Sequence, residues 1–348
     1  MLCALIMAGG KGTRFWPKST EEKPKQFINL IGDKTMLQLT VERINKIIPL
    51  ENIFICTSEK YEYIVKEQLP NLSETNIILE PCARNTAPCI LLSTLYIKEL
   101  YKDANVIVLP SDHIIGNIDQ FLNVIKSGND FINQNKDGIV TIGIMPTRPE
   151  TGYGYIKKDG IVTNINSNDI VKVEKFVEKP NLERALEYLK EQKYLWNAGM
   201  FIFNTNYMIQ EFKNNLHDMY NNLSILPSIK DDNYYVKLKE IYENCEKVSI
   251  DYGIIEKSNN IYVIPSEFGW DDVGTWESIG RYVDNDSNGN IIKGDVVIDN
   301  AKNCIVYGND KKIILVDIDD IFCVDSDEVI IVGKRDKING INEYRNNQ

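Results

Sequence analysis

Leu2-Cys3-Ala4-Leu5-Ile6-Met7-Ala8-Gly9-Gly10-Lys11-Gly12-Thr13-Arg14 joins a short apolar run to a glycine-rich turn that carries two cations. The run has the length and continuity of a strand buried on both faces. Glycines let backbone N–H groups turn inward around phosphate oxygens, and their missing side chains allow close approach. A plain tight turn accounts for two glycines. It accounts less well for Gly-Gly-x-Gly with Lys11 and Arg14 attached and Lys23, Lys25 and Gln26 close behind. The loop matches neither G-x-G-x-x-G nor G-x-x-x-x-G-K-[ST], so from the residues alone a phosphate site of another kind is favoured and a structural turn stays open.

Downstream of this loop, apolar periodicity predicts helix over 36–47, strand over 52–57, helix around 61–69 and a short strand at 77–80. Asn85 or Thr86 caps a helix running to about residue 100, with Pro88 tolerated in its first turn. A strand at 105–109 closes on Pro110-Ser111-Asp112-His113, followed by helix over 121–133 and strand over 138–144. Such alternation is the signature of a mostly parallel sheet covered on both faces. Active groups in these sheets collect beyond the strand carboxyl ends, where the glycine loop and Asp112 belong.

Residues 152–179 read as antiparallel ribbons, 182–190 as helix, 196–203 as strand, and 207–219 and 234–244 as helices. Character changes after about Asp284. The stretch 291–332 consists of short Val/Ile runs broken by Gly-Asn, Asn-Asp and Asp-Asp turns. The expectation is an α/β chain with a Rossmann-like core over 1–284 and a small β-rich unit over 285–348 that serves packing or subunit contact. No strict repeat is legible, and the Asn/Asp-rich patch at 284–290 is the hinge candidate.

The chain has 348 residues, 43% hydrophobic and 26% charged, which is ordinary for a globular protein. A formal net charge of -11 argues against a nucleic-acid polymer or an anionic membrane as partner. Seven scattered cysteines without a CxxC pair read as reduced thiols, and two histidines are too few for a histidine-rich zinc site. The apolar start lacks a preceding basic region, and no segment reaches the length of a membrane span, so a cytoplasmic protein is expected.

The stretch Ala8-Gly9-Gly10-Lys11-Gly12-Thr13-Arg14-Phe15-Trp16-Pro17, followed by Pro24-Lys25-Gln26-Phe27, resembles the entrance motif of sugar-nucleotide pyrophosphorylases. Trp-Pro and Pro-Lys-Gln-Phe point to the mannose-1-phosphate guanylyltransferase branch. The resemblance continues in order through Arg84-Asn85-Thr86-Ala87-Pro88, Pro110-Ser111-Asp112-His113, Gly152-Tyr153-Gly154-Tyr155-Ile156 and Phe176-Val177-Glu178-Lys179-Pro180. Trp196-Asn197-Ala198-Gly199-Met200-Phe201, Ile250-Asp251-Tyr252-Gly253 and Trp270-Asp271-Asp272-Val273-Gly274-Thr275-Trp276 complete it. One such motif is weak; the ordered series is strong.

The resemblance implies a nucleotidyltransferase in which a sugar-phosphate oxygen attacks the α-phosphorus of GTP and pyrophosphate leaves. It assigns catalytic charge stabilisation to Arg14 and Lys25, and Mg²⁺ to Asp112 and Asp272, with Asp271 a rival for the second position. Ala8, Gly9, Gly10, Lys11, Gly12, Thr13, Glu80, Asn85, Thr86 and Ser111 are the implied nucleotide-binding residues. Many relatives have glutamate where Arg84 stands, so Arg84 receives no base-specific role. For the sugar phosphate the resemblance points to Gly152, Glu178, Lys179, Asn197 and Gly199. Tyr153, Tyr155, Trp196 and Trp270 are expected to pack rather than bind, and His113 to serve structure.

The expected substrates are GTP and α-D-mannose 1-phosphate. The same chemistry on glucose or heptose 1-phosphate, or with another nucleotide, stays open, as does an idle nucleotide-sugar sensor. Self-association through the terminal β unit is expected without a defined order. Some members of this branch carry an isomerase domain after the transferase; with the sequence ending at Gln348, isomerase activity is not expected.

Overall fold

The computed structural model describes residues 1–283 and 285–347, with the backbone alone at 346 and 347. In chain order its strands begin with β1 (Leu2–Met7), β2 (Ile53–Ser58), β3 (Ile77–Glu80), β4 (Asn105–Pro110), β5 (Ile114–Ile115) and β6 (Ile139–Ile144). They continue with β7 (Tyr155–Ile165), β8 (Asn168–Val177), β9 (Tyr194–Asn204), β10 (Ile261–Ser266) and β11 (Trp270–Asp271). The chain forms two compact units. The larger comprises Met1–Gly9, Val41–Ser111 and Ile115–Trp270.

This larger unit is built on a nine-stranded sheet in the order β3-β2-β1-β4-β9-β6-β10-β8-β7. β1 runs parallel to β2 and β4, and β2 parallel to β3, as the alternation of strands and helices predicts. These strands are buried almost throughout because helices cover them, so they show continuous apolar runs instead of alternation. β9 then enters antiparallel to both β4 and β6, making the sheet mixed. The ribbon predicted over 152–179 is the β7/β8 hairpin.

Helices connect the parallel strands. α1 (Met36–Ile44) and α2 (Glu62–Gln68) are short, whereas α3 (Thr86–Tyr101) is buried over its first two turns. α4 (Ile118–Gln134) buries Phe121, Leu122, Val124, Ile125, Phe131 and Ile132 on one face, and Asn117 caps it by accepting from the Gln120 amide at 3.0 Å. α5 (Leu182–Glu191) precedes β9. The helix expected over 207–219 is two, α6 (Thr205–Asn215) and α7 (His217–Ser224); α8 (Tyr234–Tyr242) follows.

The smaller unit gathers Gly10–Thr40, Asp112–Ile114 and Asp271–Gln348. It therefore crosses the expected boundary at 284/285. The reason is a shared core: Phe15, Trp16, Ile28 and Leu30 pack with Trp276, Ile291, Ile305, Tyr307, Phe322, Ile338 and Ile341. A short helix, α9 (Trp276–Ile279), leads to β12 (Ile291–Lys293), β13 (Val296–Asp299), β14 (Ile305–Tyr307), β15 (Ile313–Val316), β16 (Ile321–Asp325) and β17 (Ile330–Lys334).

A repeat absent from the sequence reading emerges in this unit. β12, β14 and β16 are parallel neighbours in one sheet, and β13 and β15 are parallel in another, so the chain coils. Asn300 donates to Asp317 at 2.6 Å, and Asn303 to Asp320, each pair separated by 17 residues. All four take positive φ, which Asn and Asp tolerate. Repetition lies in backbone turns and not in identical residues, which is why it escapes inspection of the sequence. In the 284–290 patch, Asp284 lies outside the described residues. Asp286 accepts from the amides of Asn288 and Asn290 and from the Asn290 side chain, which makes 286–290 a hydrogen-bonded turn.

Candidate active site

In the smaller unit, the glycine loop is closed by the segment that follows it. Gly12 takes φ 44°, and a Cβ there would stand 2.7 Å from the Lys25 amide nitrogen. The Lys25 amide donates to the Gly12 carbonyl at 3.0 Å, and the Gln26 side chain donates to the Gly10 carbonyl at 2.8 Å. Thus Pro-Lys-Gln-Phe is spaced to clamp Gly-Gly-x-Gly, and glycine is required at 12 by both conformation and space.

This clamp delivers Lys25 to the acidic residues. Its ammonium donates to Asp112 Oδ2 at 2.9 Å and to the main-chain oxygen of Asp272 at 2.5 Å. Phe15 supports the arrangement, with its ring edge-on to Trp276 at 5.3 Å and 5.9 Å from the Lys25 ammonium. Arg14 Nη1 lies 3.7 Å from Asp272 Oδ2, and its side chain is two-thirds exposed. Burial pushes the Asp112 carboxyl up, but Lys25, His113 and Arg14 together outweigh that and hold it below the usual carboxylate range.

Asp271 and Asp272 are separated by their surroundings. Asp271 is buried and accepts from the Val273 amide at 2.7 Å and from Arg281 at 2.6 Å, so it fastens the turn. Asp272 is partly exposed beside Arg14. Lys11 lies on the surface, 3.6 Å from Glu21, while Thr13 opens the short turn that carries Arg14. His113 Nε2 stands 4.0 Å from Asp112 Oδ1.

The larger unit holds the other predicted residues. The Ala8 amide donates to the Cys56 carbonyl at 2.8 Å, and Thr57 donates to the Ala8 carbonyl at 3.0 Å, extending β1 into the loop. A Cβ on Gly9 would meet Glu80 Oε2 at 2.7 Å. Glu80 accepts from the Tyr242 hydroxyl at 2.5 Å, and burial pushes its carboxyl up to about 7 against the hydrogen bonds from Tyr242, Cys89 and Cys56. Asn85, at φ 71°, caps α3 by accepting from the Thr86 amide at 2.8 Å. Thr86 Oγ1 accepts from the Ile250 amide, Arg84 donates to the Glu243 carbonyl, and the Ser111 amide donates to the Met7 carbonyl.

Around β9 the same unit assembles a polar group. Asn197 Oδ1 accepts from the Gly199 amide at 3.1 Å and from Thr141 at 3.3 Å, while its Nδ2 donates to Asp251 at 3.0 Å. Gly199 takes φ 66° to fold back on this amide. Glu178 pairs with Lys179, and its Oε2 would lie 2.7 Å from a Cβ on Gly154. The Gly152 amide donates to Glu150 at 3.2 Å. Asp251 is pushed up to about 6, first by burial and then by the negative charge of Glu178.

Asp251 has no role in the sequence reading although its motif is quoted there. The available signal was an acid following an apolar residue in Ile250-Asp251-Tyr252-Gly253, but its partner Asn197 lies 54 residues away. The aromatics behave as packing groups: Trp196 and Trp270 are buried, and Tyr153 stands edge-on to both at 5.4 and 5.1 Å. Chemically, the smaller unit offers clustered cations with two hard carboxylates, and the larger offers amide and carboxyl groups suited to hydroxyls.

The nucleotidyl transferase family model matches residues 3–288. A mannose-1-phosphate guanylyltransferase from Salmonella montevideo is 40% identical over 95% of this chain and 70% of its own length. One from Escherichia coli is 36% identical over 98% of this chain and 74% of its own length. A solved structure from Thermus thermophilus, described as a mannose-1-phosphate geranyltransferase, superposes with a TM-score of 0.85 at 29% identity, over 99% of this chain and 98% of that one. The chain belongs to the nucleotidyl transferase family, among the relatives named mannose-1-phosphate guanylyltransferase.

Proposed function

We propose that this chain transfers GMP from GTP to α-D-mannose 1-phosphate, giving GDP-mannose and pyrophosphate. The observation that carries the reading is the Lys25 ammonium held between the Asp112 carboxylate and the Asp272 main chain behind a glycine loop. The names of the relatives supply the substrate pair.

In the reaction an oxygen of the sugar 1-phosphate attacks the α-phosphorus of GTP. The bond from that phosphorus to the bridging oxygen breaks, and pyrophosphate leaves with the electron pair. The attacking phosphate is already ionised at neutral pH, so no enzymic base or covalent intermediate is needed. Arg14 and Lys25 stabilise negative charge gathering on the phosphates, and the amides from Gly9 to Gly12 hold the triphosphate. Lys11 and Thr13 flank that loop. Glu80, Asn85, Thr86 and Ser111 serve the nucleoside. Glu178, Asn197, Gly152 and Gly199 serve the sugar hydroxyls, and Lys179 meets the sugar phosphate.

Asp112 and Asp272 suit Mg²⁺: both are hard oxygen donors, and the cations around Asp112 keep it ionised. These two carboxylates would hold the ion, and bound Mg²⁺ would neutralise phosphate charge. Among the described residues no helix is long and apolar enough to cross a membrane. A cytoplasmic location and self-association through the coiled terminal strands belong to the same proposal.

The test is pyrophosphate release by purified protein with Mg²⁺, across four NTPs and mannose, glucose and heptose 1-phosphates. Turnover confined to GTP with mannose 1-phosphate is expected. Preference for another pair moves the substrate, and saturable nucleotide binding without turnover overturns the enzyme.

A further inference from the structure

Cys56 comes from β2, Glu80 ends β3, and Cys89 stands in the first turn of α3. Their two Sγ atoms and a carboxylate oxygen lie within 4.8 Å of one another, and all three residues are buried. Among the described residues, no other group of three His, Cys, Asp or Glu is gathered this tightly. The surrounding core is apolar, with Leu5, Ile78, Ala87 and Ile90 in the same cluster. The Tyr242 hydroxyl, 2.5 Å from Glu80 Oε1, adds a further oxygen beside the trio.

A buried carboxyl is costly unless hydrogen-bonded or matched by positive charge. Around Glu80, among the described residues, the partners are a phenol and two thiols, with no cationic side chain. Two thiols and one carboxylate form the donor set of a small, soft, tetrahedral divalent ion, for which metal–sulfur bonds of about 2.3 Å and metal–oxygen bonds of about 2.0–2.2 Å are usual. Those bonds place neighbouring ligand atoms within about 4 Å of each other, so a contraction of roughly an ångström closes the present trio around an ion.

We propose that Cys56, Cys89 and Glu80 form a binding site for one thiophilic divalent cation of the Zn²⁺ type, separate from the Asp112 and Asp272 carboxylates. On loading, both thiols release their protons to solvent, as does the Glu80 carboxyl where it carries one, two metal–sulfur bonds and one metal–oxygen bond form, and Tyr242 or water takes the fourth position. No oxidant or reductant takes part. Two thiolates and a carboxylate against a dication leave one net negative charge, which the Tyr242 hydroxyl offsets by hydrogen bonding when water is the fourth ligand. The ion would fix the carboxyl whose second oxygen lies against Gly9.

The test uses reduced full-length protein stripped with chelator, then equilibrated with CdCl₂ or ZnCl₂ and passed through gel filtration. One equivalent of metal retained per chain is expected, with the ultraviolet thiolate-to-Cd²⁺ charge-transfer band at the intensity of two sulfurs. Cys56→Ser and Cys89→Ser should each weaken retention at least tenfold. Cys82→Ser, at a half-buried thiol outside the trio, should leave it unchanged. Retention without a sulfur band, retention indifferent to Cys56→Ser and Cys89→Ser, or no retention overturns the site. If a serine variant fails to fold, band intensity per bound Cd²⁺ in the wild type decides: two thiolates support the site, and none or one sinks it.

Discussion

The Lys25 ammonium donates to the Asp112 carboxylate at 2.9 Å from a side chain almost entirely withdrawn from water, while the carboxylate itself is one-third exposed. The exposed side of Asp112 therefore remains open to a ligand while its other side is anchored. Lys25→Met keeps the stem's packing and removes the charge. Losing one stabilising donor of this kind costs about 10²–10³-fold in kcat. Pyrophosphate release under saturating substrates measures it, and a variant near wild-type kcat removes Lys25 from the chemistry.

The adjacent acids should separate in experiment. Asp272→Asn is expected to lower activity by about 10²-fold and raise the Mg²⁺ concentration needed for half-maximal rate. Asp271→Asn weakens the anchor to Arg281 and Val273, costing on the order of 1–3 kcal/mol of stability with the Mg²⁺ midpoint unchanged. Magnesium titrations and melting curves of the two variants would expose a reversed assignment.

Asp251 holds the Asn197 amide that the sugar is proposed to meet. Removing the acceptor with Asp251→Ala should raise KM for mannose 1-phosphate about tenfold, corresponding to roughly 1.4 kcal/mol. The KM for GTP should stay in place, and Asp251→Asn, which retains an accepting oxygen, should recover most of the loss. Equal effects on both substrates would point to general damage and not to sugar positioning.

Glu80 gives the stability curve a definite slope. Its carboxyl moves from an ordinary 4.5 to about 7, because burial disfavours the charge. Between those values the folded chain holds a proton that the unfolded chain has released. The contribution is therefore full below about pH 4.5 and is lost as pH rises through 7, on the order of 3 kcal/mol in all. Urea unfolding between pH 5 and 8, with chelator present, should show wild type losing stability relative to Glu80→Gln. Parallel curves would mean the carboxyl is ionised throughout.

The strand and glycine turn at the start of the chain were legible because their signal is local: glycines, cations and a preceding apolar run occupy neighbouring positions. Asp112 was legible as an acid at the carboxyl end of a strand. The different surroundings of Asp271 and Asp272 were not legible, because the Arg281 bond to Asp271 appears only once the turn is folded. Asp251 was hidden for a similar reason, since Asn197 reaches it from another strand. The 17-residue coil stayed invisible because left-handed backbone at Asn300, Asn303, Asp317 and Asp320 repeats while the residue types change.

Asn342 donates to the Arg14 carbonyl across 328 residues, and Ile338 and Ile341 lie in one core with Phe15 and Trp16. During synthesis, the segment bearing Arg14 and Lys25 leaves the ribosome early but meets the last of its packing partners only after nearly every other residue has been made. Closing so long a loop is entropically expensive and slow. A turn that emerges first is thus seated last, and a nascent chain short of residue 338 would carry the sheet of the larger unit before Phe15 and Trp16 had a complete core around them.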